Sequence, residues 1–267
     1  MAKCNVMLLW KLFQTFMAEV LASGLAHLFC FLLDINTPNL PIVAGFIAGA
    51  SVYLGIWCSF STSGAQINPV VTLAVVITRR LHPLYAPVYL AGEFVGTIGA
   101  MGIAWSISPF KGQAPGTYGM TLPGKEVTSL VAVCTEGVST FILVIVILAS
   151  LDELRPKEWR PEHGAPFPLA VMLALTISVI LTLPISGASM NPIRSISAAI
   201  IQGNYDRQWI YFVGPIMGTI VACALYELVI CPHASLRRTR ICFCSRKFDR
   251  KDSYELNNVA ISDSPTT

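Results

Sequence analysis

The residues of this chain with the best claim to chemistry occur twice. Ser63-Gly64-Ala65-Gln66-Ile67-Asn68-Pro69 and Ser186-Gly187-Ala188-Ser189-Met190-Asn191-Pro192 share one pattern, a short polar loop running into an Asn-Pro pair. Asn is a favoured N-cap, and Pro suits the first helical position because the N–H there has no intrahelical partner. Each copy stays apolar for only about ten residues, 70–78 and 193–201, half of the roughly 20 needed to cross a bilayer. The spacing therefore predicts two half-helices. Two such N-termini brought together present about half a positive charge each, so a cation between them is repelled. Asn68 and Asn191 can donate side-chain N–H groups to a passing oxygen. The carbonyls of Gly64, Ala65, Gln66, Gly187, Ala188 and Ser189 offer acceptors in a row, since irregular backbone at membrane depth is tolerated only where it lines a cavity or is buried in protein. Donors at the centre with acceptors along one wall suit water or a small neutral hydroxylated molecule.

The rest of the chain reads as a scaffold for these loops. Its 267 residues are 54% hydrophobic and 12% charged, against roughly 25% charged in an ordinary soluble domain. Apolar spans are expected at 12–33, 42–60, 84–107, 129–151, 167–184 and 209–230. The expected fold class is thus an all-α membrane protein with six transmembrane helices, two re-entrant half-helices and an inverted internal repeat. Three full spans separate the two Asn-Pro loops, and an odd number of crossings turns the second copy upside down. The divisions are a cytoplasmic N-terminus at 1–11, a first repeat at 12–107 with half-helix 68–78, an extracellular connection at 108–128, a second repeat at 129–230 with half-helix 191–201, and a disordered cytoplasmic tail at 231–267. Lys and Arg gather at the N-terminus, at 79–82, at 152–163 and in Arg237-Arg238-Thr239-Arg240, whereas 34–41 and 202–208 have almost none. By the positive-inside rule both termini are cytoplasmic, and the net charge of +3 points to topology, not to a nucleic-acid partner. Glu19 and His27 lie within the first apolar stretch, which is too long for a cleaved signal segment. The eight Cys form no CxxC pair and no spaced framework; Cys30, Cys58, Cys134 and Cys223 read as packed thiols. No metal spacing, phosphate loop or nucleophile pairing stands out, so no metal, no cofactor and no enzymatic activity is expected.

The two loops carry a clear likeness. In its Asn-Pro-Ala-type signatures at 63–72 and 186–195, and in Val213-Gly214-Pro215 at the start of the last span, the chain resembles the aquaporin, or major intrinsic protein, family over roughly residues 12–231. Here the signatures read Asn68-Pro69-Val70 and Asn191-Pro192-Ile193; the β-branched third residues depart from the usual Ala and add bulk beside each cap. The resemblance implies a homotetramer in the lipid bilayer, each subunit with its own pore. It makes Arg194 the arginine of a selectivity filter, where a fixed guanidinium repels cations and donates to substrate oxygens. The other filter positions carried over from the family are Ala48, Val179 and Ala188. Water-selective members have a large aromatic at the first of these and His at the second, so a wider and more apolar constriction is expected. Phe46, two residues from Ala48, would enter the pore instead if the register shifted. Ser195, Ala199, Tyr211 and Phe212 point the other way, to the water-channel subgroup. Ala188 stands where mercury-sensitive relatives carry Cys. Glu19 and Glu136 resemble the family's buried Glu pair, which hold the re-entrant loops; Glu93 is a third such carboxylate, expected near Glu136. Two carboxylates placed so close would share a proton and make permeability pH-dependent.

The function expected is a passive channel in the plasma membrane for water and small neutral solutes such as glycerol, urea, ammonia or peroxide, excluding ions and protons. Two alternatives belong to other classes. Inverted repeats and broken helices also build proton-coupled solute transporters, for which Glu19, Glu93 and Glu136 could carry protons. A membrane junction or scaffold protein with an occluded pore is the second.

Overall fold

A computed structural model describes residues 2–33, 36–152, 167–232 and 234–245. In chain order the α-helices are α1 (Ala2–Leu32), α2 (Leu40–Ser63), α3 (Pro69–Ile77), α4 (Ala86–Ile107), α5 (Ser129–Ser150), α6 (Phe167–Ser186), α7 (Pro192–Gln202), α8 (Ile210–Leu225) and α9 (Leu236–Cys244). Among the described residues six helices are long and apolar enough to cross a membrane, the shortest spanning 20 residues and the longest 27. α3 and α7, with 9 and 11 residues, are too short. The chain is an integral, multi-pass membrane protein with an all-α fold. The apolar side chains facing outward, among them Phe46, Trp57, Val138, Leu181 and Val221, would be an aggregation hazard in water and are ordinary against lipid.

Small residues set where the helices touch. α4 lies on α1 and α8 lies on α5, the same pairing in each half. At Gly96 an added Cβ would fall 2.3 Å from the Val20 carbonyl oxygen, and at Gly218 2.1 Å from that of Gly137. Only glycine permits these backbones to approach so closely, the usual device for packing helices where hydrophobic burial offers no driving force between them. Across the halves, α2 meets α6 through Gly45 and Gly49, whose missing Cβ atoms leave room for the Thr176 and Met172 carbonyls. α3 touches α8 of the other half, and α7 touches α4. Each half-helix is thereby clamped by the repeat it does not belong to.

Two expectations need correction. The first helix begins at Ala2 rather than near residue 12. The tail is not disordered throughout, for α9 is a capped helix with Ser235 Oγ accepting from Arg238 N. Its anchor is Glu227, buried in the π-helical turn Tyr226–Ile230. Glu227 accepts from Arg238 Nη1 at 3.0 Å and from Arg80 Nη1 at 3.4 Å, so the tail helix and the turn after α3 share one carboxylate. Composition alone makes 231–267 a disordered tail, because the carboxylate that pairs with Arg238 lies in another element. Cys231 and Cys242 are buried there while Cys244 is exposed. The charged segment at 153–166 and the end of the tail at 246–267 lie outside the described residues.

Candidate functional site

The two loops adopt the same backbone. Gly64 and Gly187 both have φ +88°, a left-handed conformation that favours glycine. Ala65 and Ala188, then Ile67 and Met190, also take positive φ. A β-branched residue such as Ile67 at φ 65° is strained by about 1–3 kcal/mol and persists only where surroundings over-determine it. Two carboxylates supply that constraint. Glu19 on α1 accepts from Gln66 N at 3.0 Å and Ile67 N at 2.9 Å; Glu136 on α5 accepts from Ser189 N at 3.0 Å and Met190 N at 2.7 Å. Ser186 Oγ donates to Glu136 as well, at 2.6 Å. Charge-assisted bonds to paired backbone N–H groups are among the stronger hydrogen bonds, and here they turn the loop carbonyls the other way, toward the interior.

The half-helix caps follow directly. Asn68 Oδ1 accepts from Val70 N, and Asn191 Oδ1 accepts from Ile193 N and Arg194 N. Pro69 and Pro192 open the helices where no N–H is needed. With each amide oxygen occupied, each amide nitrogen points across the molecule. Asn68 Nδ2 donates to the Met190 carbonyl at 2.8 Å, and Asn191 Nδ2 donates to the Ile67 carbonyl at 3.2 Å. Each cap thus bonds the residue preceding the other cap. The two positive helix ends meet there, deep in the protein.

A cavity of about 340 Å³ passes this junction. It brings together Asn68 and Asn191, the loop residues Gly64, Ala65, Gln66, Gly187, Ala188 and Ser189, and Ala48, Val179 and Arg194. Opposite the loops the wall is apolar, with Ala44, Val52, Ile56 and Leu143. Phe60 and Phe167, rings 5.2 Å apart, line one end. Phe46 is 60% exposed on the outer face of α2, so Ala48 and not Phe46 borders the cavity. Arg194 Nη1 donates to the Gly119 carbonyl at 2.9 Å, and its guanidinium lies 5.1 Å from the Phe31 ring centroid. The connection at 108–128 therefore folds inward to aim the arginine: Tyr118 Oη donates to the Phe31 carbonyl, and Thr121 Oγ1 meets Ser195 Oγ.

Three placements depart from the sequence reading. Val70 and Ile193 are buried behind the caps and do not border the cavity, because the helical turn after each Asn points them into the bundle; Val71 borders it instead. Glu93 does not approach Glu136. It accepts from Thr72 Oγ1 at 2.6 Å, and its carboxylate neighbour is Glu19, since α4 packs against α1 at Gly92 beside Glu19. Nor does Glu93 accept a loop N–H among the described residues; it braces α3 through Thr72, whose Oγ1 also lies against Gln66 Oε1. Tyr211 is buried and donates to the Ser186 carbonyl at 2.6 Å, while Phe212 faces outward. His27, Cys30 and Phe31 of α1 also border the cavity and were missed. Only the presence of a polar His in an apolar span could have drawn attention to them.

The chain is similar to known proteins in both sequence and fold. The family model described as "Major intrinsic protein" matches residues 7–226. Aquaporin-4 of Bos taurus is 34% identical over 253 residues, covering 90% of this chain and 76% of its own length. Aquaporin-5 of Sus scrofa is 29% identical over 194 residues, 72% of this chain and 71% of its own. Among solved structures, the X-ray structure of the aquaglyceroporin from Plasmodium falciparum superposes with a TM-score of 0.71 at 20% identity, covering 83% of this chain and 98% of that one.

Proposed function

The chain belongs to the major intrinsic protein family, and from that premise we propose that it is a passive transmembrane channel for water and small neutral solutes. The observation that carries this reading is the reciprocal pair of bonds from Asn68 and Asn191, which joins two positive helix ends at the wall of a cavity with apolar sides. A water oxygen passing there meets the Asn68 N–H and helix ends that favour negative charge. A hydrated cation meets the same field with the wrong sign, and Arg194 adds a full positive charge on the same path. Neutral molecules that donate and accept hydrogen bonds exchange water partners for loop carbonyls.

In this reading Ala48, Val179, Ala188 and Arg194 form the selectivity filter. Three of the four are small or apolar, which supports passage of glycerol, urea, ammonia or peroxide beside water. Glu19 and Glu136 hold the loops, with Glu93 bracing from the side. Their bonds run to the back of the loops and not into the cavity, which supports a channel over a proton-coupled transporter. The likeness to aquaporins supports a homotetramer, and the clustering of Arg79, Arg80, Arg237, Arg238 and Arg240 around the C-terminal side supports cytoplasmic termini; the plasma membrane is the location proposed with them. Purified protein in vesicles should accelerate osmotic water efflux and downhill glycerol or urea flux, unaffected by an imposed proton gradient. Solute accumulation driven by that gradient would establish the transporter alternative instead, and vesicles no leakier than empty ones would establish the occluded-pore alternative.

A further inference from the structure

His27 stands beside the meeting point of the half-helices, and its hydrogen bonds fix its chemical form. Nδ1 lies 2.8 Å from the Ser23 carbonyl and 3.1 Å from Thr97 Oγ1. A carbonyl oxygen has no proton to give, so Nδ1 carries the hydrogen. Nε2 lies 3.2 Å from Asn191 Nδ2. That Asn cannot be turned round, because its Oδ1 accepts from Ile193 N and Arg194 N. The atom facing Nε2 is therefore an N–H donor, and Nε2 accepts through its lone pair.

This accounts for both amide hydrogens of Asn191: one goes to the Ile67 carbonyl and the other to His27. Asn68 differs. One of its hydrogens goes to the Met190 carbonyl, and among the described residues nothing accepts the second. The residue of α5 that stands as far after Glu136 as His27 stands after Glu19 is Val144, fully buried and without an acceptor. The repeat symmetry of the two caps is thus broken by one side chain, and His27 borders the same cavity.

We infer that His27 is a positioning residue that sets the water conductance of the channel by occupying the cavity-side N–H of Asn191, leaving Asn68 as the one central side-chain donor. The inference rests on the channel reading. The cavity that water crosses past Asn68 and Asn191 is also lined by the apolar Val71 and Ile56, and there a donor offsets part of what the molecule loses on leaving its water partners. One hydrogen bond at this point, about 1 kcal/mol, corresponds to about five-fold in rate.

The test compares wild type, His27→Phe and His27→Gln in vesicles, with osmotic water permeability divided by the number of inserted channels. Phe fills the space without an acceptor and frees the Asn191 N–H, so permeability per channel should rise about five-fold; Gln keeps an acceptor and should stay within about two-fold of wild type. Equal behaviour of the two variants in a conducting background, or no rise with Phe, overturns the inference and leaves the channel reading standing. No flux from wild type or either variant overturns the channel reading and the inference with it. Nitrogen NMR of ¹⁵N-histidine-labelled wild type gives a check independent of flux and of variant folding. The His27 ring, assigned by its loss in His27→Gln or by its coupling to labelled Asn, should carry hydrogen on Nδ1 with Nε2 accepting, and hydrogen on Nε2 would overturn the assignment.

Discussion

Replacing Glu136 with Ala removes the acceptor that holds the second loop in its left-handed conformation. Ser189 N and Met190 N lose their partner, and Ser186 Oγ loses the oxygen it meets at 2.6 Å. A buried N–H left without an acceptor costs about 1–3 kcal/mol, so the two backbone groups alone cost about 2–6 kcal/mol. That is a large part of the roughly 5–15 kcal/mol by which folded proteins are stable. The loop should relax, the Met190 carbonyl should leave Asn68 Nδ2, and the Asn68 amide, no longer held across the junction, should lose the fixed direction of its second N–H. Thermal unfolding of purified protein in detergent should fall by on the order of 10 °C, and water permeability per inserted channel should fall at least ten-fold. Glu136→Gln, which keeps one carbonyl oxygen, should lie about midway in stability. Because Glu19 makes the matching pair of bonds to Gln66 and Ile67, Glu19→Ala should behave alike. Unchanged melting and unchanged flux in Glu136→Ala would refute the claim that these carboxylates hold the loops.

Other outcomes follow from the same geometry. Arg194→Val removes one positive charge from the cavity wall; at about 5 Å and an effective dielectric near 20 that charge is worth about 3 kcal/mol against a cation, so proton or cation leak measured with a pH-sensitive dye should rise on the order of 100-fold while water flux changes less than two-fold. Cys30 borders the cavity although Ala188 does not offer a thiol, so an organomercurial should block most of the water flux, and Cys30→Ser should abolish the block. Gly218→Ala would push a methyl group to 2.1 Å from the Gly137 carbonyl and should destabilise by about 3 kcal/mol or more, whereas Gly99→Ala, inside α4 with nothing within 4 Å, should leave melting unchanged or raise it slightly.

The spans and the half-helices were legible because their signals are local. Apolar runs of about 20 residues, Asn-Pro caps and glycine before each loop depend on a few neighbouring positions. The inverted arrangement followed from the odd number of spans between the loops. What escaped the sequence depends on residues far apart in the chain. His27 reaches Asn191 across 164 positions, and Arg194 is aimed by Gly119 across 75; no periodicity encodes either pair. The sequence puts Glu93 near Glu136, whereas its carboxylate neighbour is Glu19, decided by which helix carries the close glycine contact, α4 on α1 at Gly92 and Gly96. The tail helix was missed for a similar reason. Arg237-Arg238-Thr239-Arg240 has the composition of a solvated segment, yet Arg238 is 2% exposed because Glu227 awaits it one turn beyond α8.

The proposed channel conducts through the cavity beside the paired half-helices, and Ala48 and Val179 leave that cavity wide enough for more than water. The most direct test of this claim is the ratio of glycerol to water permeability in vesicles carrying wild type or Ala48→Phe/Val179→His, measured by light scattering under matched osmotic gradients. The double variant narrows the path with a ring and an imidazole at two walls of the same cavity. Wild type should pass both molecules, and the double variant should lose glycerol flux at least ten-fold while water flux falls by no more than about three-fold. Equal loss of both, or a wild type that passes neither, would contradict the claim.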